Sequence, residues 1–211
     1  MATREQHLRI LVVTGGEKTE PEYLRYLNSA LNTSGVKIEV SESGRDPGTL
    51  VREAVLLASR DRSEARSSGD RSNVFDTVWV LCDVDDFGPG LPGAIREAAA
   101  NDVKIALSNP CFELWLLWHQ QDQGYCTTPQ VEAQASRAGV VKGKNNKSIV
   151  VSAIEGRFRD AQARSRVRRS QHARNGVEAP DDNPSSDVDL LVESLINAAA
   201  RARPGSTPSF E

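Results

Sequence analysis

Two groups of carboxylates each follow a strongly apolar run. Ile10-Leu11-Val12-Val13 leads into Thr14-Gly15-Gly16-Glu17-Lys18-Thr19-Glu20, and Thr77-Val78-Trp79-Val80-Leu81-Cys82 leads into Asp83-Val84-Asp85-Asp86. Short β-branched runs bounded by Gly and Asp read as buried parallel strands. In an open α/β sheet, ligands bind at the carboxyl ends of such strands. Acids placed there converge, and converging carboxylates repel one another unless a cation lies between them. A hard divalent ion such as Mg²⁺ suits that position. The first chemistry these residues suggest is therefore metal-dependent work on phosphate.

Other readings of the same residues are weaker. The Gly15-Gly16 segment lacks the Gly-x-x-x-x-Gly-Lys-Ser/Thr spacing of a phosphate loop. Glu20 opens a helix, where the dipole alone favours an acid. An acid pair such as Asp83 and Asp85 after a strand occurs in several phosphate-handling folds and does not choose among them.

A third stretch, Ser108-Asn109-Pro110-Cys111-Phe112-Glu113-Leu114-Trp115-Leu116-Leu117-Trp118-His119, sets a polar turn before a very apolar helix. Asn109 and Glu113 are expected to face the same crevice and support it. Phe112, Trp115 and Leu116 read as core, and His119 reads as structural more readily than as a general acid or base. Further on, Arg157, Arg159, Arg164, Arg166, Arg168, Arg169 and Arg174 place seven arginines in eighteen residues, preceded by Lys142, Lys144 and Lys147. Arginines pair with phosphates through bidentate contacts. A solvated helix or a protein-binding face fits the same run.

The elements that must position these groups alternate. Strands are expected at 8–14, 36–40, 75–82 and 103–107, and helices at 20–32, 48–60, 91–101 and 111–119. Thr19 and Glu22 resemble a capping box, and residues 61–73 read as a frayed helix end and loop. This β-α alternation argues for a parallel four-stranded sheet with right-handed crossovers. The last third reads as helices over 127–139, 148–174 and 187–200, with a polar loop between 175 and 186. Three units follow: an α/β domain over 1–121, a helical extension over 122–203 and a disordered tail over 204–211.

Composition narrows the class. The chain has 211 residues, 38% hydrophobic and 26% charged, with a net charge of −3. That fits a soluble protein whose contact with a polyanion must come from a local basic patch. No run reaches the roughly 18 apolar residues of a membrane span, and the first residues lack a signal-peptide core. Three cysteines, Cys82, Cys111 and Cys126, give no disulfide framework and fit a cytoplasmic location.

Taken together, these segments resemble the RloB-like family. The likeness lies in Gly16-Glu17-Lys18-Thr19-Glu20-Pro21, in Asp83-Val84-Asp85-Asp86-Phe87, and in Ser108 to Leu116, with a fainter echo in Asn183-Pro184-Ser185-Ser186-Asp187-Val188. The resemblance implies a Toprim-like fold. It also implies a role in anti-phage defence beside an ABC-type ATPase, and Mg²⁺ or Mn²⁺ held by a glutamate after the first strand and an Asp-x-Asp after the third. The family pattern places a glutamate where this chain has Gly15.

Three functions are consistent with these residues. The first is a metal-dependent nuclease acting on DNA or tRNA. Glu17, Lys18, Glu20, Asp83 and Asp85 are its expected catalytic residues, and Glu20, Asp83, Asp85 and Asp86 its metal ligands. Arg157, Arg164, Arg168, Lys142 and Lys144 would grip nucleic acid. The second is a binding or assembly subunit of the ATPase complex, which Gly15 favours. The third is a phosphatase or nucleotidyl-transfer enzyme, which the missing phosphate loop disfavours.

Overall fold

The computed structural model describes residues 7–43, 46–70, 74–84, 90–143, 145, 147–205, 208 and 210. Strand β1 (Leu8–Thr14) lies between β2 (Val36–Glu42) and β3 (Thr77–Asp83), and β3 pairs in turn with β4 (Lys104–Asn109), all parallel. Among the described residues the sheet has five strands, not the expected four. β7 (Ser185–Ser186) adds antiparallel to β4, giving the order β2-β1-β3-β4-β7.

Side-chain alternation sorts these strands between two cores. On one face Ile10, Val12, Val36, Ile38, Trp79 and Leu81 meet helix α1 (Thr19–Ala30) through Tyr23, Leu24 and Leu27. On the other, Leu11, Val13, Val78, Val80 and Cys82 meet α2 (Pro47–Ser68) and α3 (Leu91–Ala100) through Leu50, Val51, Ala54, Leu91, Ala94 and Ala98. The chain reverses direction across the sheet at β1. The crevice outside the ends of β1 and β3 is thus the switch point at which ligands are expected.

The first face also carries the C-terminal helices. Short α4 (Glu113–Leu117) is wholly buried, and its Trp115 packs edge-on to Tyr23 and to Phe158 of α7 (Phe158–Asn175). Helix α5 (Thr128–Arg137) leads into a hairpin of β5 (Val141–Lys142) and β6 (Ser148–Ile149), which α6 (Val151–Ile154) follows. Helix α8 (Val188–Ala202) closes the layer with Leu191, Val192 and Leu195. One continuous core therefore joins β1 and α1 to α7 and α8. Phe210 is buried in it, its ring against Phe158.

Two helices differ from expectation. The predicted helix over 148–174 is a strand paired with β5, one turn of helix and then α7, and Gly156 with a left-handed φ of 69° separates the last two. Helix α2 continues to Ser68, where Gly69 ends it with φ 72°. The polar residues of 61–68 hold because Ala65 is buried and Asp61 takes an ion pair from Arg9 at 3.1 Å.

Candidate active site at the strand ends

Glu17, Lys18, Glu20, Asp83 and Glu113 line one pocket of about 330 Å³, together with Gly16, Thr19 and Lys147. β1 delivers the first group through a turn held by Gly15 N–H donating to Leu81 C=O and by Thr14 Oγ1 donating to Gly16 C=O. β3 ends on Asp83, and parity puts it on the same face as Trp79 and Leu81, toward α1. Glu113 opens α4 immediately after β4. Three consecutive parallel strands thus each send an acid to one place.

Glu20 is 5% exposed. Burial, followed by the like charge of Glu113, pushes its carboxyl up to about 7, although its own backbone N–H and that of Gly16 donate to it. Gly16 is what admits that carboxylate. A Cβ there would lie well inside van der Waals contact of both Glu20 oxygens. Glu17 and Lys18 are exposed at the rim.

Glu113, 2% exposed, takes an ion pair from Lys147 Nζ at 3.0 Å and a hydrogen bond from Thr19 Oγ1 at 3.3 Å. Lys147 reaches Glu132 as well, at 3.1 Å. Burial works against the Lys147 charge, and the two carboxylates more than offset it, holding the amine above its ordinary value. The Thr19–Glu22 capping box is absent because both side chains are drawn to the hairpin. Thr19 Oγ1 shares its single proton between Glu113 and Lys147 C=O, and Glu22 accepts from Ile149 N–H at 2.6 Å, so Lys18 caps α1 without its side chain.

Several expected site residues stand elsewhere. Asn109 points away from the pocket and donates to Pro180 C=O at 2.7 Å and Asp182 Oδ1 at 2.9 Å, stapling the loop that forms β7. Arg164 donates to Trp118 C=O, and Arg168 pairs with Asp122 at 2.7 Å. Both guanidiniums therefore make intramolecular contacts. Arg166 pairs with Glu193, and Arg169 grips buried Asp189. Arg157 and Lys142 are exposed. Asp85, Asp86 and Lys144 lie outside the described residues. His119 is buried against Trp115, its Nδ1 hydrogen-bonded to Trp115 C=O at 3.0 Å, and burial lowers it to about 4.

Gly15 has its own geometry. A Cβ there would point to Cys82 Cβ at 3.2 Å and Leu50 Cδ1 at 3.4 Å, on the α2 face and not into the pocket.

A profile of the family described as RloB-like protein matches residues 10–195. The chain belongs to the RloB-like family. That match takes in every element from β1 to most of α8, so the RloB-like unit includes the hairpin and C-terminal helices as well as the sheet. No curated protein and no solved structure matches the chain. The sequence singled out Glu17, Lys18, Glu20, Asp83 and Glu113 of this RloB-like pocket, but not Thr19 as a ligand of Glu113 or Lys147 as its cation. The one available signal for the latter was the Lys142, Lys144, Lys147 run in a Gly- and Asn-rich loop.

A divalent cation fits the donors present. Among the described residues no three Asp, Glu, His or Cys side chains form a ready metal cage. Mg²⁺ does not require one, since it takes one or two carboxylates and keeps waters or phosphate oxygens. Glu20 and Asp83 are hard oxygen donors in one pocket, and the raised Glu20 marks a buried negative charge that a cation would relieve.

Proposed function

We propose that this RloB-like protein hydrolyses phosphodiester bonds with a divalent metal. The single observation that supports the reading is the meeting of Glu20, Asp83 and Glu113 in one pocket at the ends of β1, β3 and β4. Glu20 and Asp83 would hold Mg²⁺ or Mn²⁺, with Asp85 and Asp86 next in the chain. The bound ion would polarise a phosphoryl oxygen and lower the pKa of a water.

The chain's own residues do the rest. Glu20 and Asp83 would keep the ion-bound water in the pocket, and its proton would pass to the exposed Glu17 carboxylate at the rim or to solvent. Lys18, exposed at the rim, neutralises charge on the scissile phosphate. Glu17 orients water. Arg157 and Lys142 extend the grip along the flanking backbone of DNA or tRNA, with Lys144 in the same loop. The biological setting is anti-phage defence in the cytoplasm beside an ABC-type ATPase, on the strength of the family resemblance alone.

The test is cleavage of plasmid DNA and total tRNA with Mg²⁺ or Mn²⁺, beside Asp83→Ala and an EDTA control. Cleavage lost in both controls supports the reading. Cleavage that survives Asp83→Ala refutes the site. A second reading, a non-catalytic assembly subunit, is favoured by Gly15, where the family pattern has an acid. Absence of cleavage even with the ATPase and ATP present would select it. Gly15→Glu is a poor discriminator, because the new side chain would start toward Cys82 and Leu50.

A further inference from the structure

One wall of the pocket comes from the hairpin of β5 and β6, not from the sheet. The hairpin is latched to the first turn of α1 by Thr19 Oγ1 to Lys147 C=O and by Ile149 N–H to Glu22. The same turn bears Glu20. Lys147 is therefore anchored at its backbone as well as at its amine, unlike exposed Lys18, which has no ion-pair partner among the described residues.

The two carboxylates on Lys147 are unequal. The Glu113 side chain is 2% exposed and that of Glu132 is 36% exposed. An ammonium has three donors. Glu113 and Glu132 take two, and among the described residues nothing takes the third. Leaving Glu113 would strand a buried charge, which is costly, whereas Glu132 can turn to water. Exchanging the Glu132 carboxylate for a phosphodiester oxygen replaces one monoanion with another, so the pairing of the amine is conserved.

We propose that Lys147 is a second cation, beside Lys18, that contacts a substrate phosphate in this pocket, and that Glu132 is a positioning residue that holds its amine at the rim until a phosphate displaces it. The proposal rests on the phosphodiester reading in that its ligand is a nucleic-acid backbone.

Binding of labelled single-stranded DNA and RNA 12-mers in EDTA, from 50 to 200 mM salt, tests it apart from cleavage. The variants are Glu132→Gln and the pair Lys147→Met with Glu113→Gln, which removes the cation without orphaning a buried acid. Urea unfolding confirms that each is folded. The paired variant is expected to lower the slope of log K against log salt by about 0.7, the loss of one phosphate contact on a single strand. Glu132→Gln is expected to tighten binding about threefold or more at 50 mM salt, and to give no such gain in the paired variant that lacks the Lys147 amine, whereas a general charge effect would persist there. A wild-type slope in the paired variant, unchanged affinity in Glu132→Gln, or no oligonucleotide binding by the wild type overturns the proposal. If the slopes move as expected but the wild type never cleaves with Mg²⁺ or Mn²⁺, the hydrolytic reading fails and the phosphate contact stands.

Discussion

Glu20→Gln should stabilise the metal-free protein, and only above a defined pH. The folded carboxyl titrates at about 7, against an ordinary value of 4.5. Between those values the folded chain holds a proton that the unfolded chain has lost. Stability therefore falls as pH rises through that window, and the full penalty stands above pH 7. At about 1.4 kcal/mol per tenfold difference in proton affinity, the penalty is roughly 3 kcal/mol. For a chain of this size that is about 6–12 °C in Tm. His119 acts in the opposite direction. The buried imidazole stays neutral to about 4 while the unfolded ring gains a proton below 6.5, so stability falls as pH drops through that range. The two partly cancel in the wild type, and the difference between wild type and Glu20→Gln isolates Glu20. Urea unfolding in EDTA at pH 4.5, 6, 7 and 8 should show the variant no more stable at pH 4.5 and ahead by roughly 3 kcal/mol at pH 8. A difference that is flat across pH would refute the buried, carboxylate-facing placement of Glu20.

Three further outcomes follow from other contacts. Gly16→Ala should expel the Glu20 carboxylate, the movable end of its side chain, at a cost under about 1 kcal/mol, and should remove the pH-dependent penalty traced to Glu20. A double-mutant cycle of thermal melts at pH 8 with Glu20→Gln that shows no coupling would contradict the cradle. Arg169→Ala strands Asp189, which is fully buried, and should cost about 3 kcal/mol in urea, the low end for a broken buried pair because the arginine is partly exposed. Loss of the exposed Arg25–Glu42 pair by Arg25→Ala should cost under about 1 kcal/mol, so equal costs would mean that the Asp189 network is not buried. By NMR, the His119 ring should remain neutral at pH 5.5, and a midpoint near 6.5 would place it in solvent.

The parallel strands were legible because their apolar runs are bounded by Gly and Asp, and each was located to within about two residues. β7 was not, because Ser185-Ser186 is polar, two residues long and set in a proline-containing loop. Asn109, which staples that loop to β4, looked instead like a support for the crevice, since nothing in its neighbours in sequence points to Pro180 or Asp182. The acids of the pocket could be read because strand ends fix where they go. Their partners could not, because Lys147 and Glu22 find theirs across the fold. A dense run of arginines likewise suggests a nucleic-acid grip by composition, yet the acids and carbonyls that engage Arg164, Arg166, Arg168 and Arg169 come from elsewhere in the chain.

The latch between α1 and the hairpin spans 127 residues from Glu22 to Ile149. A chain leaving the ribosome at about 5–20 residues per second exposes β1 to β4 seconds before Lys147 emerges. Through that interval the acids at the strand ends lack the hairpin wall, and Glu113 has Thr19 beside it but not the Lys147 cation. The pocket therefore closes only after its four parallel strands have emerged, and a nascent or truncated chain ending before residue 147 would carry the acids without this wall of the cavity. On the hydrolytic reading proposed above, that delay would spare the messenger and transfer RNAs crowded around its own synthesis.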